Sequence, residues 1–97
     1  EEDKGALAFG VQNYPNPFNP VTMIRYSLGE QSEVLLVIYN VLGQEVRRLV
    51  NRSQEAGVHT VLWDGKDARG LRVTSGVYLY QLLAGPNTVI KKMTLVK

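Results

Sequence analysis

An all-β sandwich or barrel is the fold class this 97-residue sequence predicts, on three observations. Glycines at Gly29, Gly43, Gly57, Gly65, Gly70, Gly76 and Gly85 punctuate the chain at short intervals. Between them lie short runs rich in Val, Ile, Leu, Thr and Tyr, side chains that suit a pleated, half-buried surface. Within several runs apolar and polar residues alternate, the period of a strand with one buried face. Turn signals at this spacing mark a sandwich or a barrel. A hydrophobic fraction of 44% supplies one core, and a sandwich of this length buries roughly 60–65% of its unfolded surface.

Residues Glu1–Gly10 are acidic and aperiodic, which predicts a flexible lead-in to a domain spanning residues 11–97. The stretch "YPNPFNP", Tyr14 to Pro20, follows with three of the four prolines. Each proline fixes its own φ and pushes the preceding residue toward extended conformations. Pro15, Pro17 and Pro20 therefore act on Tyr14, Asn16 and Asn19. Missing N–H donors exclude a central strand and permit an edge position. A solvated linker carries small or charged residues, whereas Tyr14 and Phe18 gain by burial. The expectation is a rigid strap lying on the sandwich, with Phe18, and Tyr14 beside it, plugged into the core.

Strands are expected at Thr22–Leu28, Val34–Val41, Glu45–Asn51, Val58–Trp63, Gly76–Leu83 and Thr88–Val96. In the first, Ile24, Tyr26 and Leu28 share one face, with Arg25 and Ser27 opposite. In "VLLVIY", Val34, Leu36 and Ile38 face the core, leaving Leu35, Val37 and Tyr39 on a second face. That face is either covered, or partly hidden by the lead-in or the proline segment, or a docking patch for a neighbouring domain. "QEVRRLVNRSQEA" has Val46, Leu49 and Val50 at helical spacing, but "VLGQEV" sets a glycine turn between two apolar runs, which favours a hairpin. Val58–Trp63 brings His59, Val61 and Trp63 to one side, with Trp63 as core anchor. In the last strand Lys91 shares the parity of Val89, Met93 and Leu95, which places it near a sheet edge.

Catalytic chemistry finds little support. The single histidine, His59, lies within a strand and has no Ser or Cys partner at recognisable spacing. Asp64 and Asp67 in "WDGKDARG" are close in sequence, but Lys66 and Arg69 interrupt the run of oxygen ligands a calcium loop needs. The reading is an Asx-type turn at Asp64, with Gly65 and Gly70 supplying left-handed backbone. No glycine-rich phosphate loop occurs, so no cofactor is implied, and the absence of cysteine excludes thiolate metal sites and disulfides. A net charge of +2, without basic residues interleaved with aromatics, argues against nucleic acid as a partner. No run approaches the roughly 18 apolar residues of a membrane helix. The chain begins at Glu1 rather than Met, so the expectation is a fragment or the processed end of a longer protein.

Five stretches, "NYPNPFNPVTMIRYSL", "VLLVIYNVLGQEVRRLV", "AGVHTVLWDGKDARG", "SGVYLYQLLAG" and "KKMTLVK", together resemble the C-terminal sorting domain of type IX (Por) secretion cargo. They also resemble the Ig-like domain of the flagellar hook-capping protein, to which the sorting family is similar. The resemblance covers residues 11–97. It implies a seven-stranded antiparallel Ig-like β-sandwich without catalytic activity, ending at a natural C-terminus. Such a domain addresses an attached upstream cargo domain from the periplasm across the outer membrane to the cell surface or beyond. The implied partners are the outer-membrane secretion machinery and a sortase, and the domain itself is expected to be a monomer. Carried onto this chain, the structural motifs are Tyr14, Pro15, Asn16, Pro17, Phe18, Asn19 and Pro20, with Trp63, Asp64 and Gly65. The recognition end is Lys91, Lys92, Met93, Leu95, Val96 and Lys97. Its lysines would make charge-assisted contacts, and its strand would be positioned, or offer its edge, for β-augmentation. A different class of function is an Ig-like attachment module, binding carbohydrate or cell surface, that is retained on a multidomain extracellular enzyme. That module would need an exposed aromatic platform, for which Tyr39 and Tyr80 are the candidates. A flagellar cap would instead require self-association into rings.

Overall fold

The computed structural model describes residues 10–97, so the lead-in lies outside the described residues apart from Gly10. Strands β1 (Val11–Tyr14), β2 (Thr22–Leu28) and β5 (Gly57–Trp63) form a three-stranded sheet in the order β1-β2-β5. Strands β3 (Ser32–Tyr39), β4 (Glu45–Gln54), β6 (Gly76–Ala84) and β7 (Asn87–Leu95) form a four-stranded sheet in the order β4-β3-β6-β7. All strand pairs are antiparallel. The result is the seven-stranded Ig-like sandwich. Its fourth strand lies beside β3, not with β1, β2 and β5 as in constant-type Ig domains.

Alternation decides which side chains meet between the sheets. Ile24, Tyr26 and Leu28 of β2 face Leu36, Ile38, Tyr80 and Leu82 of the opposite sheet within one core. Trp63 ends β5 in that core, with Val61 packed partly against it. Tyr78, near the start of β6, donates its hydroxyl to Thr74 O at 2.7 Å, the kind of back-bond that makes the tyrosine corner of Ig-like sandwiches. The β3–β4 connection is the expected hairpin, held by Asn40 Oδ1, which accepts from the Leu42 and Gln44 amides at 2.9 and 3.0 Å. Gly43 supplies the positive φ that this turn needs.

Two expectations are corrected. A seventh strand, β1, precedes the prolines; its polar Gln12 and Asn13 gave no period-two signal, and pairing with β2 makes it a strand. Val41 lies in the turn after β3, and β4 runs on to Gln54. The second face of β3 is partly covered, and the lead-in offered as its cover lies outside the described residues. Val37 is buried there between Arg48 and Gln81 of the neighbouring strands, while Leu35 and Tyr39 are half-buried.

Phe18 is the one strap residue in the core cluster, at 2% exposure. Replacing Phe18 with Ala removes a whole ring from a packed interior. Urea titration should show a loss of about 3–5 kcal/mol.

Candidate functional site

The proline strap and the terminal strand form one unit. β1 ends at Tyr14, paired with Met23, and the chain then crosses to the edge of the other sheet. The three X–Pro bonds of the strap are cis. Phe18 forms a parallel bridge with Leu95: its amide donates to Thr94 O at 2.9 Å, and its carbonyl accepts from the Val96 amide at 2.8 Å. Asn16 Oδ1 accepts from the Thr94 amide at 3.0 Å, so a side chain occupies a place where prolines leave no backbone ladder. The Phe18 ring meets Trp63 at 5.6 Å between centroids, and Trp63 meets Tyr78 edge-on at 5.5 Å. Tilted and edge-on contacts of this kind add to plain burial.

The turn after Trp63 closes the other side of the strap. Trp63 Nε1 donates to Lys66 O at 2.9 Å, and the Lys66 amide donates to Asp64 Oδ1 at 3.1 Å, the expected Asx turn. Arg47 of β4 reaches both groups, 3.5 Å from Asp64 Oδ1 and 3.3 Å from Lys66 O. Gly65 has φ +77°, and a Cβ there would lie 2.9 Å from Pro20 O. Both the backbone and the close approach of the strap therefore require glycine. Asp67 accepts from the Leu71 and Arg69 amides, and the Leu71 bond leads the causes that hold its carboxyl below the usual range. Both carboxylates thus organise turns. Among the described residues no three His, Asp or Glu side chains gather around a possible metal position. His59 stacks on Tyr26 at 5.5 Å and points Nε2 at Glu55 O, a packed residue at the sheet margin.

Asn13 ties the start of the strap to both sheets. Its side-chain amide donates to Thr22 Oγ1 at 3.2 Å, and its Oδ1 accepts from the Tyr80 hydroxyl at 3.1 Å. Thr22 is itself fully buried and donates to Pro15 O at 2.9 Å. Burial pushes the Tyr80 hydroxyl up to about 12. Tyr80 is therefore a core residue and no binding platform, which leaves half-buried Tyr39 of that pair. Tyr14 is corrected in the opposite sense: it is 80% exposed. As the last residue of β1 it follows the parity of Gln12, which points outward, and not the path of the strap.

The terminal segment divides in two. Met93 and Leu95 are in the core, so they position the strand and cannot touch a partner directly. Lys91, Lys92, Val96 and Lys97 are exposed. The edge of β7 is not free along its length, because Asn16 and Phe18 occupy it from Thr94 to Val96. β-Augmentation at that end is therefore excluded while the strap is in place. No sequence signal pairs Asn16 with Thr94, since 78 residues separate them.

Comparison with known proteins now bears on this framework. The model of the FlgD Ig-like domain matches residues 20–85. The chain belongs to that family. The match takes in the body of the FlgD Ig-like domain from Pro20 to Gly85 and stops short of most of the strap and of Lys91–Lys97. A search of curated protein sequences returns no match. Among solved structures, this FlgD Ig-like domain is similar to dimeric latent PorU from Porphyromonas gingivalis, with TM-score 0.73 and 23% identity, covering 92% of this chain and 9% of that one. It is similar to PorZ, an essential surface component of the type-IX secretion system of P. gingivalis, with TM-score 0.61, 23% identity and coverage of 91% and 12%. FlgD from P. aeruginosa follows with TM-score 0.60, 24% identity and coverage of 76% and 57%. The chain spans about a tenth of the length of PorU and PorZ. Likeness at these identities establishes the shared fold.

Gly65 tests the fit between turn and strap. Gly65→Ala adds a left-handed penalty to a contact that must open, and thermal unfolding should show a loss of at least about 2 kcal/mol. A similar substitution at Gly70, which has positive φ but open space around it, should cost only the backbone penalty, about 1–2 kcal/mol.

Proposed function

We propose that this domain is a non-catalytic sorting signal that carries an attached exported protein across the outer membrane to the cell surface. The observation that carries the reading is the strap's clamp on the terminal strand. Met93 and Leu95 anchor the strand from within, Asn16 and Phe18 fix its outer edge, and the basic end becomes a rigid part of the folded surface. Lys91 and Lys92 point to opposite faces of that edge strand, so a partner that reads them together with Val96 and Lys97 wraps a strand whose backbone is already ordered. Further support comes from the five motifs that resemble type IX sorting domains and from fold similarity to PorU and PorZ. The partners in this reading are outer-membrane secretion machinery, which docks the exposed lysines through charge-assisted hydrogen bonds, a sortase acting after export, and the cargo upstream in the same chain. The domain acts as a monomer, and its route runs through the periplasm to the cell surface.

The test fuses the chain to a periplasm-directed fluorescent protein in a bacterium with a working type IX system. Deleting Lys91–Lys97 would also remove Met93 and Leu95 from the core, so the informative variant replaces exposed side chains alone. The wild-type fusion should reach the cell surface. Lys91→Gln, Lys92→Gln and Lys97→Gln together should lower surface fluorescence by about tenfold or more without lowering the melting temperature. Undiminished export of the triple variant would remove the lysines from the mechanism. Retention of the wild-type fusion in the periplasm would remove the sorting reading.

A further inference from the structure

The outer face of the three-stranded sheet has an unusual composition for a surface open to solvent. Tyr14, Met23 and Leu62 are direct cross-strand partners, and they form one row across β1, β2 and β5. Their exposures are 80%, 46% and 54%. The next row is Gln12, Arg25 and Thr60, and the last pairs Ser27 with Val58. Among the described residues Arg25 is the single charged residue on this face, and none of its strand positions carries a carboxylate. The outer face of the four-stranded sheet also exposes apolar residues, Val77 and Ile90, but there Glu33, Glu45, Arg48 and Lys92 stand among them.

Scattered exposed apolar side chains need no explanation, but a contiguous row with the surrounding charges removed does. Enrichment in Tyr, Met and Arg, with Lys, Asp and Glu depleted, is the composition of the buried centre of protein–protein interfaces. Tyr and Arg are also the residue types that carry binding energy there. A strand pairing on each side holds Met23 rigidly, and Tyr14 is held by β2 and by the strap that follows it. On a fixed backbone only the side-chain rotamers remain to be ordered on contact.

Charge decides between occupants. Arg25 sits at the middle of the central strand, so a two-fold pairing of copies centred on this face would set Arg25 against Arg25. Such like-charge juxtaposition at an interface costs several kcal/mol. A partner carrying a carboxylate opposite Arg25 gains a charge-assisted contact. Position decides where that partner acts. The apolar row lies at the end of the sheet where the strap leaves β1, and the strap runs directly onto Thr94–Val96. The apolar row therefore adjoins the last residues of the terminal strand, and Lys91 lines a cleft with Gln12 and Arg25 further along.

We propose that the outer face of the three-stranded sheet is a second docking surface, gripped by a protein of the export machinery that presents apolar side chains around a carboxylate. This rests on the sorting reading and gives that partner two contacts, one basic and one apolar. The fluorescent fusion tests it with two variants, Tyr14→Thr/Met23→Thr/Leu62→Thr and Arg25→Glu, beside wild type. Threonine suits an exposed strand position, and each variant is first shown to melt within a few degrees of wild type. The expected result is export of wild type and a fall of about tenfold or more in surface fluorescence for both variants. Export of both variants at the wild-type level overturns the docking face and leaves the sorting reading intact. Retention of the wild-type fusion as well removes the sorting reading, and this partner with it. Sedimentation of the isolated chain supplies the remaining arm: a dimer that the triple threonine variant abolishes would assign the face to a second copy and overturn the proposal.

Discussion

Much of the architecture depends on the position of Phe18. Its two backbone groups complete the edge of β7 at Thr94 and Val96, while its ring closes the core against Trp63. These two roles need the same geometry. The ring can reach Trp63 only if the strap crosses from one sheet to the other, and that crossing brings the backbone alongside the terminal strand. Prolines on either side limit the conformations from which this arrangement is selected, which lowers the entropy lost on ordering. Gly65 then allows Pro20 to pass close to the turn that follows Trp63. Strap, turn and terminal strand are thus one cooperative piece.

That cooperation has a functional consequence. An exposed sheet edge is a liability that folded proteins blunt with prolines, charges or a covering segment. Here Asn16 and Phe18 cover the C-terminal part of β7, and Lys91 and Lys92 mark the part they leave. The terminal segment proposed for recognition depends on the fold, since Met93 and Leu95 hold it from below. A partner reading it would distinguish a folded domain from an unfolded one without further contacts. The outer face of the three-stranded sheet extends the same logic, because it too exists only once β1 has paired with β2.

Much of this was legible in the sequence wherever the physics is local. The alternation of Ile24, Tyr26 and Leu28 gave the core face of β2, and the parity of His59, Val61 and Trp63 gave that of β5. "VLGQEV" gave the β3–β4 hairpin, and the preference of a large ring for burial gave Phe18. What failed depends on partners distant in sequence. β1 is a strand because β2 pairs with it, and four residues containing Gln12 and Asn13 carry no period of their own. Tyr14 belongs to that strand, so it points outward although it stands beside prolines. Strand phase alone leaves Tyr80 a candidate surface aromatic, but a hydrogen bond to Asn13, 67 residues away, satisfies its hydroxyl inside the sandwich. The strap's occupation of the β7 edge is of the same kind. Nothing near Asn16 announces Thr94.

The most direct test of the central claim is native-state hydrogen exchange at the Val96 amide, read against the Leu36 amide in the middle of β3. Val96 is the last residue but one, where exchange is ordinarily fast because chain ends fray. If the Phe18 carbonyl holds it, Val96 will exchange only through global unfolding, with a free energy close to that of Leu36. Exchange at Val96 near the unprotected rate, with Leu36 still slow, would contradict the account: the terminal strand would be free of the strap.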